Sequence, residues 1–194
     1  MSRPGEGLVA ANGRQLRYAE MGQGPPLVHL QPGSPCLTPA HALLGQRFRV
    51  VVLETPDGAE AVATALTTLG IETFDLIGSA AAGEVALRLA AQSPGRVRAL
   101  VLETPPASLG DEFEGMPWTS VVTPALVLIG TRDEVTTTHR ALVARIPGCH
   151  LVVVYDAGPA IGADRPEAFA EVVADFLDRH EAFVISRAPT LIHP

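Results

Sequence analysis

Hydrophobic positions along the chain come in short unbroken runs separated by amphipathic stretches. "PLVHLQ" (Pro26–Gln31), "RVVVLE" (Arg49–Glu54), "FDLIG" (Phe74–Gly78), "RALVLET" (Arg98–Thr104), "ALVLIGT" (Ala125–Thr131) and "HLVVVYDA" (His150–Ala157) are apolar in the middle and stop at polar or turn-forming residues. Such runs are the signature of strands buried on both faces. "RQLRYAE" (Arg14–Glu20) alternates instead and reads as an edge strand. Helical stretches lie between the runs: Gly58–Gly70, Ala81–Gly95, Thr137–Gly148 and Pro166–His180. The last opens with proline at its first position and sets Phe169, Val172, Val173 and Phe176 on one face. Strand and helix alternate, which predicts an α/β fold: a doubly wound, mostly parallel sheet with helices on both faces. In such sheets ligands bind beyond the carboxyl ends of the strands.

Two stretches break the pattern. Pro105–Thr123 is the longest irregular piece and holds the only tryptophan, Trp118. The tail after the last helix, residues 181–194, contains an apolar core at Phe183–Ile185 that reads as an extra strand, a partner contact or a frayed end.

Composition narrows the class. The 194 residues, 47% of them hydrophobic, fit one globular domain spanning 1–194. The net charge of −7 comes from 21 acids against 14 arginines, with no lysine, and the arginines are scattered. A polyanion needs clustered cations, so nucleic acid is not an expected partner. No run approaches the roughly 20 apolar residues of a membrane span. The chain does not start with a basic segment followed by an apolar one, so no signal peptide is expected. Cys36 and Cys149 are too few for a disulfide framework and read as reduced thiols in a cytoplasmic protein.

The most specific stretch is "DLIGSAAAGEVALRLAAQSPGRVRALVLETPP", Asp75 to Pro106. It resembles the α/β-hydrolase family, and the likeness extends from about Gly13 to about His180. Active members carry G-x-S-x-G at a strand-to-helix turn, then a second glycine, an alanine-rich helix, a proline near its end and Arg-Val before the next strand. Gly78, Gly83, Ala90, Pro94, Arg96 and Val97 fall in that register without a gap. The register puts Ala80 at the nucleophile position and Ser79 one place before it. Moving the frame to rescue Ser79 would put Ile77 and Ala81 at the glycine positions and rotate the helix face by roughly 100°. The resemblance also matches Thr123–Val135 to the segment carrying the acid, where Asp133 stands, and Asp156–Phe169 to the segment carrying the histidine, where Pro159 stands.

Of the implied Ser, Asp and His, the acid alone remains, and its task is to orient an imidazole that has been replaced. Asp133 then reads more readily as a turn or capping acid. Among the histidines, His29 sits inside a strand and reads as packed, and His41, after that strand, is the one candidate base. Where relatives often place His-Gly, this chain has Gln31-Pro32, and proline supplies no N–H. Gly33 and Ser34 remain as possible donors. The helical cap that the family usually inserts has only Pro105–Thr123 in its place, so the chain reads as capless.

Losing nucleophile and base together costs about 10⁶ in turnover. The leading expectation is therefore a catalytically inactive, hydrolase-like protein that binds a small ligand or a protein partner. The ligand-binding residues expected are Gln31, Gly33, Ser34, Ser79, Ala80, Ala81, Glu103 and Asp133. The alternative is hydrolysis of esters or lactones by rearranged residues near Gln31, Ser34, Cys36, Ser79 and Asp133. Glu54, Glu103, Asp133 and Asp156 all stand at strand ends and offer a metal or acid–base site. Acids are common there, so no metal and no cofactor is expected. A homodimer using the tail or Pro105–Thr123 is the expected mode of self-association.

Overall fold

Alternation within the apolar runs decides which layer each side chain enters. Leu27, Val50, Val52, Ile77, Val101, Leu126, Leu128 and Val152 share one apolar cluster, while Val28, Leu30, Val51, Leu53, Leu76, Leu100, Leu102 and Val127 belong to another. Successive strand residues point to opposite faces, so a run apolar at every position must be covered on both sides. A computed structural model describes residues 4–55, 58–106, 109, 120–133, 137–183 and 190–192.

The strands are β1 (Gly5–Ala11), β2 (Arg14–Met21), β3 (Pro26–Gln31), β4 (Arg49–Glu54), β5 (Phe74–Ser79), β6 (Val97–Glu103), β7 (Ala125–Gly130), β8 (His150–Val154) and β9 (Thr190–Ile192). They form one sheet in the order β1-β2-β4-β3-β5-β6-β7-β8-β9. β1–β2 and β2–β4 are antiparallel, and every later pairing is parallel. The helices are α1 (Pro39–Leu44), α2 (Ala59–Thr68), α3 (Ala82–Gln92), α4 (Thr137–Arg145), α5 (Ile161–Asp164) and α6 (Pro166–Arg179). Side chains from α2, α3 and α4 enter one cluster, and those from α1, α5 and α6 enter the other. The expected α/β class with helices on both faces is what the chain adopts.

One expectation needs correction. Arg14–Glu20 is not an edge strand, because β2 is paired on both sides and β1 forms that edge. In the tail, Thr190–Ile192 form a strand beside β8. Phe183 packs edge-on against Phe176 and His150. Val184, Ile185, Trp118 and most of Pro105–Thr123 lie outside the described residues. No described helix is long and apolar enough to cross a membrane.

Candidate functional site

The chain turns sharply from β5 into α3, with Ala80 at the tip of the turn. Ala80 has φ 48°, in the left-handed region that L residues avoid. Its N–H donates to the Glu103 carbonyl at 2.9 Å, and its own carbonyl accepts from Gly83 N–H at 2.9 Å. Gly78 makes the tight turn possible: a Cβ there would lie 2.6 Å from Ala86 Cβ and 2.9 Å from Gly83 Cα. Small residues thus let α3 start directly against the strand end. Holding a residue in this region costs on the order of 1–3 kcal/mol, and close packing around it sustains the strain.

Beside this turn lies a chain of buried polar side chains. His29 on β3, Ser79 on β5 and Glu103 on β6 follow Leu27, Ile77 and Val101 at a spacing of two, so all three point to the α1/α6 side of the sheet. The three strands are neighbours, and Ser79 is in register with Glu103. α1 adds His41 from above. Ser79 Oγ lies 2.5 Å from His29 Nε2 and is hydrogen-bonded to Glu103 Oε2. His29 Nδ1 lies 2.7 Å from His41 Nε2. His41 Nδ1 accepts the backbone N–H of Thr38 at 2.8 Å, closing a capping box at the start of α1. Glu103 Oε1 accepts the N–H of Gly162 at 2.9 Å.

The backbone fixes the direction of every proton in this chain. An amide N–H can only donate, so His41 Nδ1 is bare and its proton sits on Nε2. His41 therefore donates to His29 Nδ1, and the His29 proton sits on Nε2 in turn. That N–H donates to Ser79 Oγ, whose hydroxyl donates to Glu103. The imidazole beside Ser79 is thus a donor to it rather than a base.

Electrostatics agree with neutral rings. His29 is 3% exposed, and burial first, then His41, holds its pKa well below the usual value. Burial lowers the His41 pKa to about 4. The 3.8 Å approach of His29 Nε2 to Glu103 Oε2 is therefore a neutral ring beside a carboxyl group and not an ion pair. Burial raises the Glu103 pKa, while hydrogen bonds from Ser79, Gly162 and Ile161 oppose that rise.

An open cleft of about 340 Å³ lies over this network. Buried His29, His41, Glu103 and Phe169 form its floor with half-buried Ser79, and exposed Pro32, Ser34, Cys36 and Pro159 stand on its rim. Of the expected site residues, Gln31, Ser34, Ser79, Ala80 and Glu103 line it, whereas Gly33, Ala81 and Asp133 do not. Pro159 faces the cleft with a saturated ring. Asp133 is half-buried in a turn, its N–H donating to the Gly130 carbonyl at 3.1 Å.

The four strand-end acids do not converge. Glu54 accepts the Arg17 N–H at 3.1 Å, Asp156 lies 3.7 Å from Arg132, and Glu103 alone enters the cleft. No group of three or more metal-ligating side chains occurs among the described residues. His139 is buried on α4 and donates to the Pro105 carbonyl at 2.8 Å. The convergence of His29, His41 and Ser79 is the feature that pattern reading missed. Its signal was available in the spacing of two that sets His29, Ser79 and Glu103 on one face, and in Thr38-Pro39-Ala40-His41, a capping box with histidine in the usual Glu/Gln place.

Neither a protein-family profile nor a curated protein sequence matches the chain. Solved structures do. A bacterial membrane phospholipase A superposes with a TM-score of 0.76 at 18% identity, covering 90% of this chain and 86% of the other. A carboxylesterase from Bacillus subtilis gives 0.73 at 16% identity, covering 91% and 92%. The enol-lactonase from Burkholderia xenovorans LB400 gives 0.73 at 21% identity, covering 89% and 100%. The chain has the α/β-hydrolase fold. At these identities the likeness speaks for the fold, and the function has to be argued from the site.

Proposed function

We propose that this protein is a non-catalytic member of the α/β-hydrolase fold whose cleft above Ala80 binds a small molecule. The observation that carries this reading is the proton order set by Thr38 N–H: the imidazole next to Ser79 donates to it and cannot take its proton. Ala80 holds the elbow without an oxygen, and Pro159 neither accepts nor donates a proton. Pro32 contributes no N–H where the fold's hydrolases stabilise an oxyanion. A cleft with an apolar wall and a few converging polar groups is what a ligand site requires.

A second reading has one specific observation behind it. Ser79 Oγ sits between a donor, His29, and a carboxylate, Glu103. With Glu103 as the proton acceptor, Ser79 could attack an ester or lactone carbonyl, displaced by one residue from the usual nucleophile.

One experiment separates the two. The protein is incubated with p-nitrophenyl acetate and with a fluorophosphonate probe, beside its Ser79→Ala variant. The binding reading expects equal, background turnover in both proteins and no adduct on Ser79. An adduct at Ser79, with turnover lost in the variant, refutes it and establishes the hydrolase.

A further inference from the structure

The polar atoms at the cleft floor are spent unevenly. His41 Nε2–H goes to His29, His29 Nε2–H to Ser79, and the Ser79 hydroxyl to Glu103. The N–H groups of Gly162 and Ile161 go to Glu103. Every floor donor is therefore used inside the network. What remains toward the cleft is lone-pair capacity: one site on Ser79 Oγ, and further capacity on the Glu103 carboxylate. The floor accepts hydrogen bonds and has none to give. Donors occur at the rim, on Gln31, Ser34 and Cys36. Ser34 is itself tied from outside by Arg17 Nη1 at 3.1 Å, and Arg17 does not line the cleft.

The charges are one-sided as well. Glu103 is 5% exposed and has only neutral donors as partners, because both facing imidazoles are neutral. Asp164, on the neighbouring α5, adds negative potential at Glu103. Among the described residues no Arg lines the cleft, and the chain has no lysine. A buried carboxylate facing an apolar cavity without a cation is costly unless a partner arrives. The remaining floor and wall come from Phe169, Pro32, Pro159, Ala160 and Ala163. An aromatic ring beside a carboxylate suits a weakly hydrated organic cation.

We infer that the ligand of this cleft is a small organic ammonium compound, its N–H groups directed to Ser79 Oγ and Glu103 and its apolar body against Phe169 and the prolines. The inference rests on the binding reading above and names its ligand class. It also reverses the polarity that ester hydrolysis needs, since a carbonyl oxygen or carboxylate seeks donors and this floor presents acceptors.

The test compares three probes of nearly equal shape by calorimetry at neutral pH: benzylammonium, benzyl alcohol and benzoate. Benzylammonium should bind at least tenfold more tightly than benzyl alcohol, and benzoate should give no measurable binding. In Glu103→Gln the preference of ammonium over alcohol should shrink to within about twofold, because the charge is gone and the shape is kept. Should Glu103→Gln not fold, the ammonium–alcohol comparison on the unaltered protein decides alone. Equal affinity for the two, tighter binding of benzoate, or no binding by any probe overturns the assignment. An ester-derived adduct on Ser79 in the earlier assay overturns the binding reading itself, so the two failures are distinguishable.

Discussion

Two strand ends in this protein carry the same residues, Leu53-Glu54-Thr55 at the end of β4 and Leu102-Glu103-Thr104 at the end of β6, and meet different fates. Both leucines are fully buried. Both threonine hydroxyls are buried without a hydrogen-bond partner. Glu54 stands at the antiparallel side of the sheet and accepts one backbone N–H from Arg17. Glu103 lies between β5 and β7, under α5, and anchors the chain of protons that ends at Thr38. Thr104 is forced to φ 45°, and Thr55 is not among the residues with positive φ. An identical local sequence thus leaves a half-buried carboxylate outside the cleft in one place and a residue of the cleft floor in the other. Sheet position decides: a strand end flanked on both sides by parallel strands and covered by a helix turns its polar residues inward.

The largest test of that contrast is to remove each acid. Glu103→Ala strands the Ser79 hydroxyl and two backbone N–H groups and should cost about 3–5 kcal/mol in denaturant unfolding. Glu54→Ala should stay within about 0.5 kcal/mol. Equal losses would remove the distinction between the two ends.

The next effect is pH. Burial takes His41 from 6.5 to about 4, so the unfolded chain captures a proton that the folded chain refuses. The contribution is fully present above pH 6.5 and is lost as the pH falls toward 4, a change of about 3 kcal/mol for this one group. The raised carboxyl of Glu103 has the opposite sign, since protonation relieves its burial. His41→Gln keeps an acceptor for Thr38 N–H and should flatten the fall in thermal midpoint between pH 6.5 and 4, whereas Glu54→Gln should leave the profile as it is. An unchanged slope in His41→Gln would place the titrating group elsewhere.

The smallest effect has opposite signs at the two ends. Thr104→Gly relieves the left-handed backbone and deletes an orphaned hydroxyl, and should stabilise by about 1 kcal/mol. Thr55→Gly also deletes an orphaned hydroxyl but relieves no strain, and added chain entropy should leave it destabilised by about 1 kcal/mol. Chemical unfolding of both variants reads the difference.

Much of this architecture was legible in the residues. Runs such as Val50–Leu53 and Leu126–Ile129 are apolar at every position, which a sheet covered on both faces requires. Ala80 could be placed because Gly78 and Gly83 fix the spacing of the turn. β1 was not legible: Gly5 and Gly7 dilute its pattern, and its pairing with β2 determines it. The reading of Arg14–Glu20 as an edge failed for the same reason. The site was legible by position and not by interaction. Ser79 and Glu103 were both singled out, but the partners that define them, His29 and His41, come from β3 and α1, and their contact depends on strand order rather than on sequence spacing. In the tail, Phe183 packs against Phe176 and Thr190–Ile192 pair with β8, contacts that sequence spacing does not reveal.

The proton order at Ser79 can be observed directly. Nitrogen-15 NMR of the histidine side chains at neutral pH reports which ring nitrogen carries hydrogen. The account predicts that His29 and His41 are both neutral, with protonated Nε2 and bare Nδ1. A bare Nε2 on His29, its lone pair turned toward the Ser79 hydroxyl, would contradict it and make that serine a nucleophile with a base in place.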